Sequence, residues 1–366
     1  MKKLIPYFLI TLAFVLLLLV KHPQVLTYKF DQNLIHDYLR SQDIEDPKGL
    51  IHDRIFISDS DIYTATGYLY VKGEDPTKYN FQHPPAVKYL FGFSTLLTGN
   101  PYWVQIIFGL VLLSLTYFLG TKLFKNKWVG YLGVLGLLID PVFGGMMNEA
   151  LLDLGQAVFA LGYITLILFY PESYILQGVI LGLFAASKFW STAILLVVLV
   201  LGYKLLIRKE KLNYKKILLS FLIAFVVFSL TYIKSFIGAG GAFNLFAFEA
   251  KVLRFMFTHN SASFIGGPIL LFISGFFAPW WQAGVARAAD WTILWPVGLI
   301  VSVWIAVRTK FKDLRFFYFL IPIFYLLLSS TQVPFTRYFI VILPFVYLGL
   351  AGFLAQLFDI LRSFNI

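Results

Sequence analysis

Ten apolar runs, bounded by charged residues, divide this chain and leave it few ways to fold. They lie at roughly 4–20, 101–121, 128–140, 149–170, 174–187, 189–207, 217–234, 291–307, 316–331 and 338–358. A helix needs about 20 residues to cross ~30 Å of hydrocarbon. Of the 366 residues, 59% are hydrophobic and only 13% are charged, far from the usage of soluble domains. The pattern predicts an all-α polytopic membrane protein with about ten transmembrane helices. The 39 Phe and 21 Tyr suit lipid interfaces. Met1-Lys2-Lys3 before Leu4–Val20 resembles a signal peptide, but Lys21-His22-Pro23 follows instead of a small-residue cleavage site. An uncleaved anchor helix is therefore expected. Cysteine is absent, which excludes disulfide and thiolate chemistry and leaves the redox compartment unreadable.

With the N-terminus inside, the cytoplasmic loops are 122–127, 171–173, 208–216 and 308–315. Sixteen of the 30 Lys and Arg fall on that side, opposed only by Glu172, Glu210, Asp313 and Asp359; the outer side holds fourteen basic and fifteen acidic residues. This positive-inside bias accounts for the net charge of +11 without nucleic acid. Parity demands two spans in 174–207, although ~1.5 Å per residue makes only about 50 Å of helix. Two short helices then meet at Lys188, recessed below the outer surface, and enclose a cavity. Two outer segments are long, about 21–83 and about 235–290. Asp46-Pro47 and Gly73-Glu74-Asp75-Pro76 mark turns in the first. In the second, the apolar run Pro268–Trp281 is too short to cross, so it lies at the interface or re-enters. No internal repeat or low-complexity segment is visible. One integral-membrane domain over 1–366 is expected.

The ionisable outliers all reach the outer face under this topology: Asp59, Asp61, His83, Asp140, Asp153, Lys188 and Arg337. A one-sided polar constellation in an apolar protein is a site hypothesis by default.

Three segments carry a family resemblance. Asp59-Ser60-Asp61-Ile62-Tyr63 leads to His83-Pro84-Pro85-Ala86-Val87-Lys88. Asp140-Pro141 is followed by Leu151-Leu152-Asp153. Gly178 and Gly182 precede Ala186-Ser187-Lys188-Phe189-Trp190. With Arg337-Tyr338 before Pro344, and Pro279-Trp280-Trp281, their order resembles the protein O-mannosyltransferases and the related aminoarabinose transferases of the GT-C class. The resemblance implies a GT-C-type bundle with a long first extracytoplasmic loop. It implies an inverting glycosyltransferase that moves a sugar, mannose first of all, from a polyprenyl-phosphate donor to an extracytoplasmic hydroxyl on protein, lipid or glycan. A prokaryotic plasma membrane is the expected location, with the site on the extracytoplasmic face. The chain departs from the family pattern in three ways. Its first acidic pair is Asp-x-Asp rather than Asp-Glu, Asn148-Glu149 stands where an Arg is common, and the large soluble loop domain of eukaryotic members is missing. The acceptor need not be a protein.

The chemistry needs a base for the acceptor proton. Asp59 is the first candidate and Asp61 the second; a helix would turn Asp61 away, and an extended segment would return it to the same face. An Asp-x-Asp pair can instead hold a divalent metal, and no other cofactor is implied. Cations beside the departing phosphate stabilise the transition state. Arg337, Lys188 and His83 are the candidates, and the aminoarabinose transferases carry a Lys at the place of His83. Asp140, Asp153, His259 and Glu249 are candidates for the sugar or acceptor, and one of the first two is expected to meet a cation or the acceptor. Each has a plainer alternative: a solvated loop acid for Asp59, a snorkelling side chain for Arg337, a helix cap for Asp140, a surface role for His259 and Glu249. No spacing suggests a structural metal site, a catalytic triad or a P-loop. The rival readings are a transporter or flippase of a lipid-linked substrate, whose usual paired repeats are missing, and an inactive assembly subunit.

Overall fold

The structure, a computed structural model, describes residues 4–42, 55–259, 264–279 and 283–364. It is built of helices, with one two-residue ladder pairing Phe276–Phe277 with Ala286–Arg287. Each of the ten apolar runs forms a helix. Three described helices are long and apolar enough to cross a membrane: Tyr102–Phe124, Leu152–Phe169 and Trp190–Ile207, the last closing in a π turn. Shorter apolar helices include Ile5–Lys21, Tyr174–Ala185, Leu294–Arg308 and Leu314–Ser329. Leu152–Phe169 is the most enclosed of the three long helices, and it carries Asp153 in its first turn.

The run at 128–140 does not end where it was expected to. Lys127–Ile139 bends by 61° into Pro141–Asn148. Asp140 makes the bend. Its backbone is extended, and one carboxylate oxygen accepts the backbone N–H of Val142 (2.8 Å) and Phe143 (3.2 Å). Pro141 fits the first helical position because it has no N–H to satisfy.

Small residues let other helices touch. A Cβ at Gly178 or Gly182 would stand 2.6 Å from the carbonyl oxygen of Ser220 or Ala224, so the G-x-x-x-G face packs backbone to backbone on Tyr214–Leu230. The break after this face falls at residues 186–189, and Lys188 is 2% exposed there.

Asp59–Val71 is a helix, and a second helix, Ala86–Thr98, fills the stretch between the Pro-Pro turn and the next apolar run. A Cβ at Gly92 would lie 2.0 Å from the carbonyl oxygen of Gly67, so these two helices also meet at backbone distance. Gly73 ends the first of them in the left-handed region (φ 104°). The Asp46-Pro47 signal and Trp280-Trp281 lie outside the described residues. Pro268–Trp281 does not make one re-entrant helix: Gly267–Ser274 stops at Gly275 (φ 79°) before the short ladder.

Two contacts tie the loops assigned to the inner side to their neighbours. Lys216 pairs with Glu172, and the Tyr203 hydroxyl donates to the Asp313 carbonyl oxygen (2.8 Å).

Candidate active site

Two ion pairs from distant parts of the chain form the centre of the site. Asp59 sits at the first position of its helix, behind the N-cap Ser58, and accepts from Arg337 Nη2. Its carboxylate is 41% exposed and can be reached from outside the fold. Asp153 accepts from Lys188, and both side chains are 2% exposed. Tyr338 lies between the pairs. Lys188 Nζ stands 4.0 Å from its ring centroid, and the Arg337 guanidinium carbon 5.7 Å. Phe335 covers the guanidinium at 4.6 Å. Cations over aromatic faces are held electrostatically, so one ring steadies two charges. The Tyr325 hydroxyl donates to the Tyr338 carbonyl oxygen (2.9 Å) and fixes the segment that carries both residues.

The helix gives the two aspartates of the Asp59-Ser60-Asp61 motif different partners. At about 100° per residue, Asp61 points away from Asp59. The Ser58 hydroxyl donates to the Asp61 carboxylate (2.7 Å) and accepts the Asp61 N–H (3.1 Å), a reciprocal cap. Among the described residues no group of three or more His, Cys, Asp or Glu could hold a metal ion. Tyr63, one turn on from Asp59 and on its face, is buried beside His83, with ring centroids 5.9 Å apart.

His83 lies against Tyr63 and, at 5.0 Å, Phe189, so it joins the outer motif to the Lys188 junction. Burial, then the positive charges of Lys188, Lys88 and Arg337, hold its imidazole well below the usual histidine range, and it is neutral. Its Nδ1 is buried and has no hydrogen-bond partner.

Lys88 closes the His83-Pro84-Pro85-Ala86-Val87-Lys88 motif. It is fully buried, and its ammonium donates to the carbonyl oxygens of Asn80 (2.7 Å) and His83 (2.8 Å) and to Asn80 Oδ1 (3.1 Å). It clamps the turn that presents His83. A buried, nearly intramembrane Lys is itself the signal that could have singled it out.

The remaining candidates separate. Asp140 is taken up by structure: besides its cap, its second oxygen accepts from Trp295 Nε1 (2.8 Å) and the Tyr347 hydroxyl (2.6 Å), so the carboxylate is saturated. Glu249 accepts from the Tyr232 hydroxyl (2.7 Å) and Trp190 Nε1 (2.9 Å), which anchors the second outer segment on the helix after Lys188. Burial raises its carboxyl above the ordinary range, and those two bonds oppose the rise. His259 ends the helix Leu245–His259, and its side chain lies outside the described residues. Glu149, exposed, stands within the field of Arg337, Asp59 and Asp153 and adds a further carboxylate there. Ser60 accepts the Ala150 N–H (2.8 Å) and ties Asp59's helix to this second segment.

In fold, the chain is similar to ArnT from Cupriavidus metallidurans. The apo structure of ArnT aligns with a TM-score of 0.60 at 15% identity, over 87% of this chain and 57% of ArnT. ArnT bound to undecaprenyl phosphate gives 0.62 at 15% identity, over 87% and 58%. The chain thus spans little more than half the length of ArnT. The class follows: this is an integral membrane protein with the GT-C fold. Within it, residues 82–233 match the model of the family described as dolichyl-phosphate-mannose-protein mannosyltransferase. None of the curated proteins matches the chain in sequence.

Proposed function

We propose that this protein is an inverting glycosyltransferase that transfers a sugar, mannose by preference, from a polyprenyl-phosphate donor to a hydroxyl acceptor on the extracytoplasmic side of a prokaryotic plasma membrane. The observation that carries the reading is the pair of ion pairs, Asp59–Arg337 and Asp153–Lys188, gathered around Tyr338 in a GT-C fold. The family matched by residues 82–233 supports mannose, and the lipid bound to ArnT supports a polyprenyl-phosphate donor.

In this reading, the acceptor oxygen attacks the anomeric carbon as the bond from that carbon to the phosphate oxygen breaks. The proton passes to Asp59, which is paired with Arg337, and the electron pair leaves on the phosphate. Arg337 has five N–H donors. One is spent on Asp59, and Nε is buried with no hydrogen-bond partner, so donors remain for a phosphate. Lys188 supplies a second positive charge, held in place by Asp153 and Tyr338. Fixed charges in an enclosed site favour the transition state, in which the leaving phosphate gains charge.

The test is transfer by purified protein in liposomes, with labelled polyprenyl-phosphate mannose compared with glucose and arabinose donors. Mannose transfer is the expected result. Transfer from another donor alone would replace the sugar. No transfer to any acceptor across a broad panel, with movement of the lipid across the bilayer instead, would replace the enzyme with the transporter.

A further inference from the structure

A second polar site lies among the loops assigned to the inner side. A cavity of about 430 Å³ is lined by Trp304, Arg308, Lys310, Asp313, Arg315 and Gln356, with Ile305 and Thr309 beside them. It sits where Leu294–Arg308 ends, where Leu314–Ser329 begins, and against the last helix.

The charges there are unequal in their freedom. Asp313 caps the helix through the Arg315 N–H (2.8 Å) and is forked by the same residue's guanidinium (2.8 and 3.2 Å), so these two side chains neutralise each other. Arg308 and Lys310 pair with no carboxylate among the described residues. The Arg308 guanidinium lies over the Trp304 ring at 4.6 Å, which fixes its plane and leaves its N–H edges open. On either side in sequence, Val307 and Phe311 are 76% and 68% exposed. A fixed cation, a second cation, an indole at the interface and adjoining exposed apolar side chains combine the requirements of an anionic headgroup with those of its acyl chains.

We infer that this cavity binds the phosphodiester headgroup of an anionic phospholipid, with Arg308 and Lys310 on the phosphate and Val307 and Phe311 against the chains. The site is separate from the Asp59–Arg337 centre and does not depend on the proposed activity.

The test is lipid retention by the full-length protein, using native mass spectrometry and exchange in nanodiscs of phosphatidylglycerol against phosphatidylcholine. A Lys or Arg near an anionic surface contributes roughly fivefold. Phosphatidylglycerol should be retained over phosphatidylcholine, and Arg308→Gln with Lys310→Gln should weaken retention roughly 25-fold. Both residues are exposed, so the double variant should keep the wild-type circular dichroism spectrum. A variant of equal charge loss on another inner loop, Lys122→Gln with Lys125→Gln, should retain the lipid as wild type does. Millimolar inorganic phosphate should not displace it. Wild-type retention by the Arg308/Lys310 variant, equal loss in the Lys122/Lys125 variant, or displacement by phosphate alone would each overturn the inference.

Discussion

Asp59 and Arg337, 278 residues apart, form one ion pair, and Arg337 shares the ring of its neighbour Tyr338 with Lys188 of the other pair. The outer acidic motif and the last polar turn of the chain therefore act on the same point. The Asp59 carboxylate stays 41% exposed beside this cation, so an acceptor hydroxyl can reach it.

Asp59→Asn keeps the shape of the side chain and removes the base. Turnover should fall about 10²- to 10⁴-fold, with donor-lipid binding close to wild type. The measurement is initial rate in liposomes beside a binding titration. Activity within tenfold of wild type would move the base to Glu149 or Asp153.

Lys188→Met should unfold the junction more than it harms chemistry alone. Asp153 would be left buried and unpaired, at a cost of about 3–5 kcal/mol. Combining it with Asp153→Asn should restore much of the thermal stability but no transfer. Recovery of activity in the double variant would show the pair to be scaffolding. Arg337→Lys, which keeps the charge and loses the fork, should retain partial donor binding.

His83 predicts a pH dependence of stability. Its imidazole is held neutral in the folded protein, whereas in the unfolded chain it takes a proton near pH 6.5. Below that value the unfolded state binds the extra proton, so stability is at its plateau above about pH 6.5 and falls as pH drops, by about 1.4 kcal/mol per unit for one such group. Melting temperature measured from pH 8 to pH 5 should decline below 6.5 in wild type and decline less in His83→Gln. Parallel curves would assign the acid sensitivity elsewhere.

Gly92→Ala should separate the helix Asp59–Val71 from the helix Ala86–Thr98. The added methyl would meet the Gly67 carbonyl at 2.0 Å, and backbone cannot yield as a side chain does. A loss of about 1–3 kcal/mol or more is expected, together with lower transfer, because Asp59 rides on one of these helices. Gly145→Ala, with nothing within 4 Å, is the control and should be neutral. Equal melting temperatures for the two variants would contradict the close packing.

Sequence alone determined the helical architecture and the break at Lys188, because apolar run length and charge placement are properties of local composition. It also marked Asp59, Asp153, Lys188 and Arg337 as costly charges that must find partners. Only the tertiary structure decided which partners. Asp153 took Lys188, Asp59 took Arg337, Asp140 was used up by Val142, Phe143, Trp295 and Tyr347, and Asp61 turned back to cap its own helix. Four similar carboxylates thus reached four different ends. The physical reason is that a side chain's free lone pairs depend on what packing brings within about 3 Å of it. That is settled by backbone contacts such as Gly67 on Gly92, hundreds of residues from the partner it selects.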